Sequence, residues 1–152
     1  PAPAAEPQPA ASVDRASAIE SRTRISNAFS ATVELSSWNA DGAFEVAVTQ
    51  GLAGAGYRVA YTAGQNARLE LVKVTSRGRG TVDSRPLASL EDQKIHSLNW
   101  ARTADGSMTV SVDGKVVLSA RDTSFLDPFD ALQLSSAGAD VIVKSVQVMG
   151  AK

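Results

Sequence analysis

The stretch HSLNWARTADGSMTVSVDGK, residues 96 to 115, sets the only histidine of the chain, His96, near Trp100, Arg102, Asp105 and Asp113. An imidazole oriented by a second group can serve as a general acid or base, so this stretch is the first place to look for catalysis. Its alternation suggests a packed strand instead. His96, Leu98 and Trp100 share strand parity and point to one face. Ala104-Asp105-Gly106 and Asp113-Gly114 have the composition of hairpin turns, because Gly and Asp tolerate the positive φ of a tight reversal. The sequence identifies no positioned partner for His96, so a structural histidine is preferred to a catalytic one, and Asp105 and Asp113 are read as turn formers.

Other chemistries are tested in the same way. Glycoside hydrolysis needs two carboxylates placed across the scissile bond. Glu34 and Glu70 are mid-strand glutamates, each the only acid in its strand, and are read as outward and solvated, with pairing across the sheet as the alternative. RDTSFLDPFDA, residues 121 to 131, offers Asp122, Asp127 and Asp130, and calcium is the cation such oxygen ligands suit. Their spacing matches no EF-hand loop and an acid-rich turn explains them more simply, so no cofactor is expected. One histidine and no cysteine leave no zinc set. GLAGAGY, residues 51 to 57, has a phosphate-loop look but runs from strand to strand, with no helix N-terminus to hold an anion, and is read as a flexible connection.

Two features remain as candidates for contact. Residues 51 to 80 hold Arg58, Arg68, Lys73, Arg77 and Arg79 against Glu70 alone. SRGRG, residues 76 to 80, places two of them in what reads as a mobile turn. This is either a solvated strand face or a patch for an anionic polymer; without interleaved aromatic residues, nucleic acid is not expected as a partner. Trp38 falls in the turn SSWNADG and is either tucked over the end of the fold or exposed as a platform for a sugar ring. Asn39, Asp41, Tyr57, Tyr61 and Arg102 are the polar or stacking partners it would have.

The elements that must position these residues follow from composition and period. A chain of 152 residues is one domain with room for a core. With 15 basic and 16 acidic side chains, it has no global field to draw nucleic acid or an anionic membrane. No run approaches the ~18 apolar residues of a membrane-spanning helix. PAPAAEPQPAAS opens the chain as an extended tether, of the kind that follows a removed signal peptide or an anchor, which makes export the expectation. Val13 to Arg24 is mixed, and Ser12 would cap a short helix holding Ala16, Ala18 and Ile19. From Arg24 onward, short β-rich runs alternate with turn residues: 29–35, 43–48, 57–62, 67–74, 81–87, 94–102, 107–112, 115–121, 131–135 and 141–148. About ten strands or slightly more, with at most one short N-terminal helix, imply two stacked antiparallel sheets.

The pattern H-x-L-x-W-x-R-x-x-D-G-x-M-x-V-x-V-D-G-K-x-V resembles the central hairpin of concanavalin A-like jelly-roll domains, in the laminin-G-like branch. The closing ALQLSSAGADVIVKSVQVMG is similar to the last two strands of the same family, and the resemblance covers roughly Phe29 to Gly150. It implies an all-β jelly roll over residues 23–152, with residues 1–22 as tether and lead-in. It also implies that Leu98 and Trp100 pack between the sheets, with His96 at the rim of the core bonded to backbone or a neighbouring hydroxyl. Hydrolases of this fold share a strand reading Glu-x-Asp-x-x-Glu, which this chain lacks. The expectation is a non-catalytic module of an exported bacterial protein that binds a glycan or cell-envelope polysaccharide. A protein-interaction or sensor domain is the second reading and a glycoside hydrolase the third.

Overall fold

The computed structural model describes residues 17–37, 42–51, 54–64, 66–87, 90, 94–137 and 141–150. Its strands are β1 Ser17–Ile25, β2 Phe29–Ser37, β3 Ala43–Gln50, β4 Ala55–Thr62, β5 Arg68–Thr75 and β6 Gly78–Pro86, followed by β7 His96–Arg102, β8 Ser107–Val112, β9 Lys115–Arg121, β10 Phe129–Ala137 and β11 Val141–Gly150. They form a six-stranded sheet in the order β1-β10-β3-β4-β5-β6 and a five-stranded sheet in the order β11-β2-β7-β8-β9. Every pairing is antiparallel.

Period-2 alternation decides what each sheet buries. In β3, Phe44, Val46 and Val48 enter the core while Glu45, Ala47 and Thr49 face outward. In β7, Leu98, Trp100 and Arg102 are buried and Asn99 and Ala101 face out. The two inner faces meet in an aromatic cluster: Phe29 packs edge-on against Trp100 at 5.1 Å and Phe129 at 6.0 Å, and Tyr57 against Phe125 at 5.0 Å. Such edge-to-face contacts add about 0.5–1.5 kcal/mol each to the apolar burial.

None of the described residues is helical. Residues 17–24, expected in a short helix, lie in β1, which pairs with β10 from Ser17↔Ser136 onward. A helix there would be a few turns long with a narrow apolar stripe, too short to repay nucleation, while the edge of β10 offers a ready ladder. The strand also takes in residues read as tether lead-in. SRGRG is not a mobile turn: the β5–β6 reversal is the two residues Ser76 and Arg77, and Arg79 and Gly80 already pair with Val74 and Lys73. Of GLAGAGY, residues 55–57 belong to β4, which begins at Ala55. At Asp113 (φ 52) and Gly114 (φ 84), both central residues of the β8–β9 turn have the positive φ expected of a tight hairpin.

Gly56 is required where it stands. A Cβ there would lie 2.0 Å from the Val48 carbonyl oxygen of the neighbouring strand. Gly56→Ala is expected to destabilise the domain by about 3 kcal/mol or more through that backbone clash. Gly78→Ala, where φ is 124 and the space is open, should cost only the ~1–2 kcal/mol of the backbone conformation. Urea denaturation of the two variants checks the order.

Candidate functional site

The outer face of the six-stranded sheet carries an ordered set of charges over a floor of small residues. Glu45 on β3, Ala60 on β4 and Glu70 on β5 share one cross-strand row, and Ala47, Arg58 and Val72 form the next. Arg79 on β6 reaches across β5 and β4 to place Nη2 2.6 Å from Glu45 Oε2, while Arg58 Nη1 lies 3.4 Å from Glu45 Oε1. These long side chains lie over outward-facing Ala47, Ala60 and Val72, which is why all three are buried. The Arg58 Nε–H is also buried and has no hydrogen-bond partner among the described residues. A second set adjoins the first: Arg68 Nε donates to Ser84 Oγ at 2.8 Å, and Ser84 Oγ lies 3.4 Å from Glu70 Oε2.

The opposite outer face differs in kind. On the five-stranded sheet the row Gln147–Thr32–Asn99–Ser111 is uncharged, with Asn99 Nδ2 donating to Thr32 Oγ1 at 2.8 Å. Glu34 stands on that face and accepts from Ser145 Oγ at 3.1 Å. Glu34 and Glu70 therefore look away from each other on opposite sides of the sandwich. Glu45 shares a face with Glu70, their Cα atoms about 10 Å apart as two strand spacings. Alternation in AFEVAV already marks Glu45 as outward, but only the sheet order reveals its neighbours.

Of the residues expected to contact a ligand, the structure brings Arg58 and Arg79 together on this face. Arg77 is exposed in the β5–β6 turn. Trp38, Asn39 and Asp41 lie outside the described residues. Tyr57, Tyr61, Lys73 and Arg102 do not face outward with Arg58; they belong to the interior and its rim. Tyr61 is buried, and its hydroxyl accepts the Leu90 amide at 3.0 Å. The recess beside it, lined by Leu35, Phe44, Leu90, His96 and Val112, holds about 20 Å³, too little for a sugar ring.

Arg102 is 3% exposed and Tyr57 0%. The guanidinium donates to the carbonyls of Asn27 at 2.9 Å, Asp122 at 2.7 Å and Phe125 at 3.3 Å, and lies 5.1 Å from the centre of the Tyr57 ring. Asp122 completes the cluster. Its Oδ1 accepts the Tyr57 hydroxyl at 2.5 Å and the Ser124 amide at 2.9 Å, and its Oδ2 accepts Lys73 Nζ at 2.9 Å. Burial pushes the Asp122 carboxyl up, but the bonds from Tyr57, Lys73 and Ser124 outweigh it and hold the group well below the usual carboxylate range. Burial first, and then the bond to Asp122, drives the Tyr57 phenol well above its ordinary value.

The acids considered for calcium have partners within the chain. Asp122 is engaged by Tyr57 and Lys73, Asp130 Oδ2 accepts the Gly51 amide at 2.9 Å, and Asp127 contributes its backbone carbonyl to Gln50. Among the described residues no three His, Asp or Glu side chains converge as a metal would require. His96 has a partner that the sequence did not reveal. Its Nδ1 lies 2.6 Å from Asp113 Oδ2, and Asp113 Oδ1 accepts the Ser97 amide at 2.9 Å. The pair fastens the β8–β9 turn to the start of β7, and it gives His96 a carboxylate partner that the expectation of a backbone or hydroxyl bond did not include. Asp105 acts within its turn: the Thr103 hydroxyl and the Ser107 amide both donate to it, and these bonds lower its pKa to about 2.

No protein-family model and no curated relative matches the chain. Solved structures do. Sheep galectin-11 in complex with glycerol superposes with a TM-score of 0.70 at 11% identity, over 90% of this chain and 98% of that one. The carbohydrate-binding module CBM66 of Bacillus subtilis gives 0.65 at 15% identity, over 91% and 84%. A GH16 protein of Bacteroides ovatus in complex with a product gives 0.67 at 11%, over 87% and 74%. The fold is a two-sheet antiparallel jelly roll like theirs. This jelly roll supports both binding modules and glycan-active enzymes, so the likeness establishes architecture alone.

The Asp122 cluster makes stability depend on acid. A carboxyl whose folded-state pKa is depressed contributes stability above its unfolded value, about 3.9, and loses it as pH falls through the folded value. Asp122→Asn should cost about 1–3 kcal/mol at neutral pH. The gap from wild type should narrow as pH drops below about 4, as read by urea denaturation at stepwise lower pH.

Proposed function

We propose that this domain is a non-catalytic glycan-binding module of an exported bacterial protein, and that it engages a glycan or cell-envelope polysaccharide through the outer face of its six-stranded sheet. The observation that carries the reading is the Arg58–Glu45–Arg79 array. Vicinal sugar hydroxyls donate and accept, and a carboxylate flanked by two guanidinium groups offers acceptors and donors in alternation. Ion pairing holds the array in place before a ligand arrives, which lowers the entropy cost of binding. The Pro/Ala-rich opening of the chain is the support for export.

Turnover is not part of the proposal. Glu45 and Glu70 share a face, but a glycosidase needs both of its carboxyl groups free to act at the scissile bond. Glu45 instead faces two guanidinium groups, and Glu70 is engaged by Ser84 with Arg68 4.0 Å away.

A glycan array of the purified domain, acidic polysaccharides included, followed by titration calorimetry on any hit, tests the reading. Glu45→Gln and Arg79→Ala should each weaken binding at least about tenfold, ~1.4 kcal/mol, with the fold retained, while Arg77→Ala leaves it unchanged. A blank array with folded protein would overturn the glycan reading. Binding that survives both substitutions would move the site elsewhere.

A further inference from the structure

The two halves of β6 are built differently. Residues 83–86 are anchored: Asp83 Oδ2 accepts the Ser119 amide of the other sheet at 3.0 Å, Asp83 Oδ1 lies 3.1 Å from Arg85 Nη1, and Ser84 Oγ accepts from Arg68 Nε at 2.8 Å. Residues 78–81 are exposed at every position and pair with β5 as part of the terminal strand of the sheet. Two of these four are glycines, and a Cβ on Gly78 or Gly80 would meet no atom within 4 Å. Glycine in a strand interior weakens the strand, through lost entropy and the lack of a side chain to pack. Between the halves the register shifts: Leu71 lies opposite Asp83 and Val72 opposite Thr81, so Val82 is a bulged residue. A bulge bends its strand and increases the local twist, and at a sheet edge it re-aims a side chain.

The side chain re-aimed here is Arg79. Arg79 pairs with Val74, in line with Gly56 and Thr49, and Thr49 lies four residues along β3 from Glu45. In a flat sheet, three strand spacings across and four residues along put the Arg79 and Glu45 Cα atoms about 20 Å apart, too far for their side chains to meet. Yet Arg79 Nη2 lies 2.6 Å from Glu45 Oε2. The corner of the sheet that carries residues 78–81 is therefore turned over the outer face, and the ion pair fastens it there. The Arg79 side chain is half exposed, so salt weakens that fastening.

We infer that residues 78–81 form a flap over the outer face, hinged at the Val82 bulge and latched by Arg79 to Glu45, which opens by peeling from β5 while residues 83–86 stay in place. Opening withdraws Arg79 from the floor of Ala47, Ala60 and Val72 and leaves Glu45 with Arg58 alone of its two guanidinium partners. Closing restores the array. A ligand enters by the open state and is held by the closed one, so the closed population sets its apparent affinity. The role of the flap as a gate rests on the glycan reading; the flap itself does not.

Native-state hydrogen exchange of the purified domain, read amide by amide by NMR, tests the flap without any glycan. Ladder amides joining residues 78–81 to β5 should show protection at least about tenfold below those joining residues 83–86 to it, because they open locally. Glu45→Gln, and in the wild type a rise in NaCl from about 50 mM to about 1 M, should each lower protection at 78–81 at least about threefold and leave 83–86 unchanged. Gly80→Thr, whose side chain has open space, should raise protection at 78–81 by stiffening the strand. Equal protection on the two sides of the bulge, a difference that neither Glu45→Gln nor salt changes, or a loss spread evenly through the sheet overturns the inference. A blank glycan array would overturn the binding reading and leave these exchange rates as they are.

Discussion

One buried cation ties the sandwich together. Arg102 ends β7 with its guanidinium among the aromatic rings, and an ionised group in such a place is tolerable only if its N–H groups are satisfied. Three backbone carbonyls and the face of Tyr57 do this for the two Nη groups, while Nε–H is buried without a hydrogen-bond partner among the described residues, and these partners come from separate parts of the chain: the turn before β2, the segment after β9, and β4. The guanidinium therefore holds the connection into β10 against the end of both sheets. Asp122, drawn in beside it, is fixed in turn by Lys73 and Tyr57. Removing Arg102 would leave the Asn27 and Phe125 carbonyls without this donor, which is how a small polar network specifies a single arrangement of a long connection.

The outer surfaces gain their character from what the core does not need. Every second residue of each strand is free of packing duty. The six-stranded sheet uses those positions for charges that span strands, and the five-stranded sheet for hydroxyls and amides. Ion pairs at such exposure add little to stability. The sheet beneath them is held by its ladders and its inner face. The seam between β6 and β9 is closed by Asp83, which accepts the Ser119 amide.

Much of this was readable in the residues themselves. Alternation identified the strands from Phe29 onward, because a half-buried strand must repeat every two residues. The turn at Asp113-Gly114 was legible because few residues accept positive φ. The outward parity of Glu34 and Glu70 followed from the same rule, while the inward side of Trp100 and the place of His96 near the rim followed from the family resemblance. β1 escaped notice because its pattern is weak: its conformation is imposed by the edge of β10, and a pairing partner more than a hundred residues away leaves no local mark.

What the sequence by itself determined, then, is the class of fold, the faces of most strands and the absence of a thiolate or histidine-rich metal set, since period and residue type are local properties. Tertiary structure alone decided which charges meet. Arg58 and Arg79 are separated in sequence from each other and from Glu45, and they converge only because β3, β4, β5 and β6 are neighbours in one sheet. Tyr57 and Arg102 look like surface contacts in the sequence, yet they lie inside because parity places them there and the 122–129 segment supplies the hydrogen bonds that make their burial tolerable. A side chain's role depends on the groups that surround it, and in an antiparallel sandwich those groups come from distant parts of the chain.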